Sequence, residues 1–478
     1  MQRLYILLII LSTVSANAQI IQFQDISFKS RLLAADTTRS IAHDINGNNM
    51  KIDANNNGEI EIAEALVVYK LSPSGSAFPV YNVVGIEYFT NLTHLDFLNP
   101  FGDIETMNLT ALVNLEWLGC NNTTIRHIDL SDLIHLKSLH VSNSNVETLN
   151  VTGATGIEIL SCGNNQLSSL NLSDQVNLKF LDCTQNDLTA LDLNGLNKLK
   201  VVRCQGNNIS NLNLTGAAEL LALHCNSNNL QNLDVSHLQK LQFLNCQSNH
   251  LSELVVHGLP ELTHLDCLAN NLTALNLSEL PNLEILYCAG NNLSQLDVDQ
   301  LYSLKEFSCG LNQLTFLDVS GLSQLYKFDC GPNNLSAIHM KGIAFNGGEN
   351  DWLYFANNPN SEYVCVDESK IELVRGLAES YQYDNLQINS SCTLGINGND
   401  NIETLVVYPN PVNDILNFAS DKNRKVRSIA IYNVLGQKII TKDNKAIESV
   451  DVSALSSGNY FIKINSDKGS TNAKFAKK

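Results

Sequence analysis

The chain has 478 residues, and at about 150 residues per domain this gives a soft prior of about three domains. Asp plus Glu number 48 against 30 Lys plus Arg, a formal net charge of −18, which argues against a nucleic-acid binder because such a protein needs a basic face. Hydrophobic residues at 44% suffice for a packed core and exceed what a disordered chain carries, while charged residues at 16% leave uncharged polar groups to cover much of the surface.

Residues 1–18 read as a secretory signal peptide. Arg3 precedes an apolar run from Leu4 to Leu11, and Ala16-Asn17-Ala18 offers the small residues of a cleavage site. The run is shorter than the roughly 20 residues a membrane span requires. No later segment is apolar enough to cross a bilayer, so the expectation is a mature chain without a transmembrane segment.

Residues 19–91 are expected to form an N-terminal cap. Within it, Asp53-Ala-Asn55-Asn-Asn57-Gly58-Glu59-Ile60-Glu61-Ile-Ala-Glu64 fits the EF-hand loop template. Oxygen side chains fall at the first, third and fifth positions, glycine at the sixth and Glu64 at the twelfth. The expected calcium set is Asp53, Asn55, Asn57, Glu59 and Glu64, with short helices from Phe28 to Ala35 and Ala63 to Leu71 on either side. Asn55 and Asn57 lower the ligand charge, which suits extracellular calcium in a structural role; the alternative is an Asn/Gly-rich turn without metal.

From Cys162 to Cys330, cysteines recur every 21 residues, with Cys120 two periods earlier and Val141 at the skipped position. A fixed period of this length signals a solenoid. One unit, Leu178-Lys-Phe-Leu181-Asp-Cys183-Thr-Gln-Asn186-Asp-Leu188-Thr-Ala-Leu191-Asp-Leu193, resembles the leucine-rich repeat with cysteine in a leucine slot. Twelve units start between Leu92 and Leu325, the first with an insertion around Pro100, so that residues 92–345 form the repeats. Strand alternation sends Leu181 and Cys183 inward and Phe180, Asp182 and Thr184 outward. The row from Asn165 to Asn333 is expected to bond backbone groups at the bends.

Secreted cysteines suggest disulfides, but pairing along the ladder would break the equivalence of the repeats, and side chains of parallel strands point the same way. No two ladder cysteines have C-x-x-C spacing, which weakens a metal row, so the expectation is a row of buried free thiols. The same ladder on the same period makes the chain similar to internalin-like bacterial surface proteins, which supports free thiols by resemblance.

The concave strand face of a solenoid is its usual binding surface. In the third position of each unit stand Trp117, Ser138, Ile159, Phe180, Val201, Ala222, Phe243, His264, Ile285, Glu306 and Lys327, and the fifth-position row beside them, including Arg203 and Tyr287, is polar. An apolar stripe with a polar rim is a candidate binding patch, with Trp117, Ile159, Phe180, Arg203, Phe243 and Tyr287 as its candidate residues. The alternative is that these side chains pack along the sheet and only stabilise it. The histidines are too scattered for a zinc site. No H-E-x-x-H, G-x-S-x-G or P-loop is present, and no span is left over for a catalytic domain, so the expectation is a non-enzyme.

Cys365 and Cys392 lie outside the 21-residue register and flank an expected helix from Glu368 to Glu379. A disulfide-stapled C-terminal cap over residues 346–400 is the simplest account. Residues 405–478 then change character, with 12 basic against 6 acidic residues, a net of +6. The rest of the chain is left with 18 against 42, a net of −24. Short β-branched and aromatic runs punctuated by Gly436 and Gly458 suggest an Ig-like β-sandwich. Val407-Tyr408-Pro409-Asn410-Pro411, then Ile431-Tyr432-Asn433-Val434-Leu435-Gly436, then Gly458-Asn459-Tyr460, and a Lys-Lys end resemble the type A sorting domain of the Bacteroidetes type IX secretion system. The resemblance implies export across the outer membrane by the type IX machinery, then removal of this domain and surface attachment or release. The alternative is an ordinary Ig-like appendage.

The expected fold is therefore an α/β-type leucine-rich-repeat solenoid, a right-handed coil with a parallel β-sheet and small α/β caps, followed by the sandwich. The expected function is recognition of a protein or glycan ligand at the cell surface, in adhesion or ligand capture. A structural surface-layer component without a specific ligand is the alternative, and an enzyme comes third.

Overall fold

The computed structural model describes residues 19–73, 79–97 and 104–392, and in the C-terminal part 406–419, 426–433, 438–443, 447, 449–466 and 469–478. The signal segment, the insertion at Pro100 and Gly436 lie outside the described residues. The chain divides into two compact units, Met1–Leu394 and Gly395–Lys478.

In the first unit each repeat contributes a three-residue strand. Phe180–Asp182 pairs in parallel with Val201–Arg203, placing Phe180 opposite Val201, Leu181 opposite Val202 and Asp182 opposite Arg203. The same register recurs repeat after repeat and yields a fifteen-stranded sheet. That sheet opens with Ala42–His43 antiparallel to Lys70–Leu71, turns parallel at His94–Asp96, and ends at Trp352–Tyr354. The strand's central leucine and the following cysteine are fully buried, as at Leu181 and Cys183, so neighbouring repeats supply each other's core. Thr184, expected outward, is buried as well, because the strand ends at Asp182 and the chain bends inward there. Further three-residue strands form separate, smaller parallel sheets, among them Ala190–Asp192 with Asn211–Asn213.

The bends are held by the asparagine row. Asn207 Nδ2 donates to the carbonyl of Cys204 at 3.1 Å and to that of Cys183, one turn back, at 2.9 Å, while its Oδ1 accepts from the Leu188 N–H at 3.0 Å. Thr123 and Ser144 begin this row with hydroxyls, and Asn358 closes it. Asn358 follows Leu353 and Phe355, a further turn of the repeat with Phe355 in the cysteine slot, which carries the front sheet past residue 345. In most repeats the residue two after the cysteine slot adopts positive φ, with side chains as different as Asn164 at 56°, Gln185 at 50°, Ala269 at 52° and Leu311 at 53°.

The N-terminal cap has a helix at Ile26–Leu33, capped by Asp25, whose carboxylate accepts from the Phe28 N–H at 3.0 Å. The second expected helix is shorter than its sequence pattern suggests. It spans only Ile62–Ala65, because the chain must turn back to give the strand Lys70–Leu71. At the other end, a 3₁₀ turn at Glu368–Lys370 runs into the helix Ile371–Ser380, and Cys365 and Cys392 are joined by a disulfide. Tyr381, the C-cap of this helix, donates its hydroxyl to the carbonyl of Leu353 at 2.9 Å, which covers part of the last front strand's edge.

The second unit is an antiparallel pair of sheets. Val406–Tyr408, Ile415–Ala419 and Ser449–Asp451 form one, and Lys438–Asp443, Val426–Asn433, Gly458–Ser466 and Gly469–Lys477 form the other. Leu416, Ile431, Val452, Ile462 and Phe475 fill the core between them.

Candidate functional site

The front sheet brings the predicted surface residues together, but as stacks rather than as a bare stripe. Trp117 lies between His94 and His140, with ring centroids 6.4 and 5.5 Å apart. Phe243 is sandwiched between His224 at 4.6 Å and His264 at 4.5 Å, and Tyr287 meets His264 edge-on at 5.9 Å. Arg203 sits over the Phe180 ring, 5.6 Å from its centroid. Ile159 is paired between Ser138 and Phe180 and is half-buried, like every other third-position residue from Trp117 to Lys327. Burial lowers the pKa of His94, His140, His224 and His264, which favours neutral imidazoles in these stacks.

Sequence reasoning missed the polar knot beyond Tyr287. Glu306 accepts from the Tyr287 hydroxyl at 2.6 Å, the Tyr326 hydroxyl at 3.1 Å and Lys327 Nζ at 2.7 Å. It also missed Trp352, which occupies the third position of the added turn and is 60% exposed. The signal was available: Trp352-Leu353-Tyr354-Phe355 repeats the strand pattern after a longer connection.

In the cap loop, the carboxylate of Asp53 accepts from the N–H groups of Asn57 at 3.1 Å and Gly58 at 3.2 Å, and Gly58 takes a φ of 78°. Glu64 accepts from the Ala54 and Asn55 N–H groups at 2.8 and 3.4 Å. Glu61, absent from the predicted set, gathers the amides of Asn55 at 3.1 Å and Asn57 at 2.7 Å. Glu59 turns its side chain away to Lys29, 2.5 Å distant. Glu61 and Glu64 also share a hydrogen bond, and burial with this contact raises the Glu64 pKa. Among the described residues, no group of three or more His, Cys, Asp or Glu side chains is gathered as metal ligands.

The ladder cysteines are all buried and unpaired, ten in number. Burial pushes the Cys225 thiol up to about 12. Such thiols are poor nucleophiles.

In the second unit, Asn410 accepts from the Ala476 N–H at 2.8 Å and donates to the Lys474 carbonyl at 3.2 Å, which ties Tyr408-Pro409-Asn410-Pro411 to the last strand. Tyr460 stacks on Phe475 at 5.7 Å and donates to the Ser456 carbonyl at 3.0 Å. Gly458 opens the strand that carries Tyr460.

A leucine-rich-repeat solenoid followed by a secretion domain is the class of protein these features define. Residues 406–478 match the secretion system C-terminal sorting domain, and this type IX domain marks the chain for transport across the outer membrane to the cell surface. The functional domain of InlJ from Listeria monocytogenes, which includes a cysteine ladder, is similar at 20% identity and a TM-score of 0.53, covering 96% of this chain and 100% of that one. A leucine-rich-repeat protein of Leptospira interrogans has 19% identity and a TM-score of 0.45, covering 68% and 90% of the two chains. YopM of Yersinia pestis has 22% identity and a TM-score of 0.43, covering 67% and 89%. At such identities the InlJ likeness shows the fold. No curated protein matches the chain. Among the described residues, no helix is long and apolar enough to cross a membrane.

Proposed function

We propose that the protein is displayed at the cell surface to recognise a protein or glycan ligand through its front sheet, in adhesion or ligand capture. The observation that carries this reading is the histidine–aromatic stack from His224 to Tyr287, half-buried on a sheet of fifteen strands. Rings locked together in this way form a rigid surface that loses little side-chain entropy on binding. The buried, weakly acidic thiols support a non-catalytic reading. The test compares wild type with a Phe180→Ser/Phe243→Ser variant in a screen of glycans and host proteins. Binding that falls about tenfold or more in the variant is expected, since Phe243 and its two flanking imidazoles act as one block. Identical profiles rule the stack out as the site.

Calcium at the cap loop is part of the same proposal. Two carboxyls forced to share a hydrogen bond beside Asp53 favour a cation that would replace their proton, with the Asn55 and Asn57 amides turned to present their oxygens. Millimolar calcium is expected to raise the melting temperature of wild type by several degrees, and Asp53→Ala/Glu64→Ala is expected to abolish that rise. No shift in wild type discards calcium.

A further inference from the structure

Along most of the front sheet each ring spends its face on another ring. Phe180 instead faces the Arg203 guanidinium, whereas Trp352, among the described residues, is paired with neither a ring nor a cation and is 60% exposed. The turn before it is braced, because the Asp351 carboxylate accepts from the N–H groups of Asn346 at 2.7 Å and Gly348 at 3.1 Å. The indole is thus presented on a fixed strand in register with Lys327, and Tyr354 is in register with Asp329. Strand alternation puts these four side chains on one face. Their polar neighbours are already oriented: Lys327 is held by Glu306, and Asp329 accepts from the Ser308 hydroxyl at 3.3 Å and the Gly331 N–H at 3.2 Å.

A single exposed indole on a strand in register with Lys327, with Asp329 on the same face, is too small and too polar for the core of a protein interface, which takes on the order of 1,000 Å² and several clustered anchors. It matches the chemistry of a sugar ring. The C–H face of a pyranose is apolar and weakly positive, complementary to the negative face of an indole. The hydroxyls around that ring are both donors and acceptors, and here they meet an ammonium and a carboxylate of opposite sign. We propose that the C-terminal end of the front sheet is a subsite for a neutral sugar ring, stacked on Trp352 and hydrogen-bonded by Lys327 and Asp329. The inference rests on the recognition role proposed above and assigns it a ligand class.

The chain has two tryptophans, so Trp117→Phe leaves Trp352 as its sole indole reporter. Full-length Trp117→Phe protein is titrated with a panel of neutral hexose and N-acetylhexosamine oligosaccharides while indole emission is followed. A saturable blue shift with at least one oligosaccharide is expected. Calorimetry with that sugar should show an affinity about tenfold weaker in Trp352→Ala than in wild type. If no oligosaccharide moves the emission while a ligand sensitive to Phe180→Ser/Phe243→Ser still binds, the sugar subsite falls and the recognition role stands. If only a protein ligand moves it, the end of the sheet is a protein contact and the proposal is overturned. If nothing binds in either experiment, both fall together.

Discussion

In denaturant without reductant the protein is expected to titrate ten thiols, and with reductant twelve, while the native protein reacts at almost none. The difference of two is the Cys365–Cys392 staple. Native protection has two sources that act together. The ladder thiols are fully buried, so a reagent must wait for an opening of the repeat stack. Burial also favours the neutral thiol: at pH 8 a group pushed up to about 12, as at Cys225, is ionised to about one part in 10⁴, against about a quarter for an exposed cysteine. Native labelling should therefore be slower than that of an unfolded cysteine by about 10³ or more. The measurement is a stopped-flow thiol assay with an aromatic disulfide, native and denatured, with and without reductant. Rapid native labelling, or two or fewer thiols in denaturant without reductant, would sink the free-thiol ladder.

The period that made this ladder readable also sets what the sequence could and could not tell. A slot occupied by one residue type in every repeat, such as the cysteine or asparagine row, is legible because burial and hydrogen bonding leave little choice there. The row hides where a different chemistry does the same work. Thr123 and Ser144 replace the asparagine amide with hydroxyls, and Phe355 replaces the cysteine, so the row and the last turn were read too short. Positive φ was not legible, because Gln185, Ala269 and Leu311 carry no turn signature and the backbone imposes that conformation through the stack. The candidate surface was half legible. A row of large third-position residues was visible, but its meaning depended on diagonal neighbours: His224 belongs to the fifth-position row and still closes over Phe243. The rings contact one another, as the packing reading of that stripe expects, and they remain half-buried at the surface. In the cap loop the template was legible, whereas the gathering of both amides by Glu61 required the fold.

Asn228→Ala is expected to destabilise the solenoid by about 2–5 kcal/mol, although the side chain removed is small and touches no ligand face. Asn228 donates to the carbonyls of Cys225 at 3.1 Å and Cys204 at 3.0 Å, and its Oδ1 accepts from the Ile209 N–H at 2.9 Å. Cys204 and Ile209 belong to the preceding turn, so the amide is a clamp between two repeats. Truncation leaves an acceptor and a donor there without this partner in a buried site, and each such group costs about 1–3 kcal/mol. Asn228→Asp keeps the acceptor for Ile209 and loses the donors, so it should fall below wild type as well. Asn229→Ala, one position along and exposed, should stay within about 0.5 kcal/mol of wild type. The readout is urea unfolding together with hydrogen exchange at Ile209. In a quasi-one-dimensional array the coupling between neighbours is what makes the whole unfold as one. A weakened clamp in the middle should therefore lower the midpoint, broaden the transition towards two steps, and speed exchange at Ile209 before more distant repeats. A loss under about 1 kcal/mol with unchanged exchange would mean that the cysteine and leucine rows alone hold the turns together, and that the asparagine row only follows.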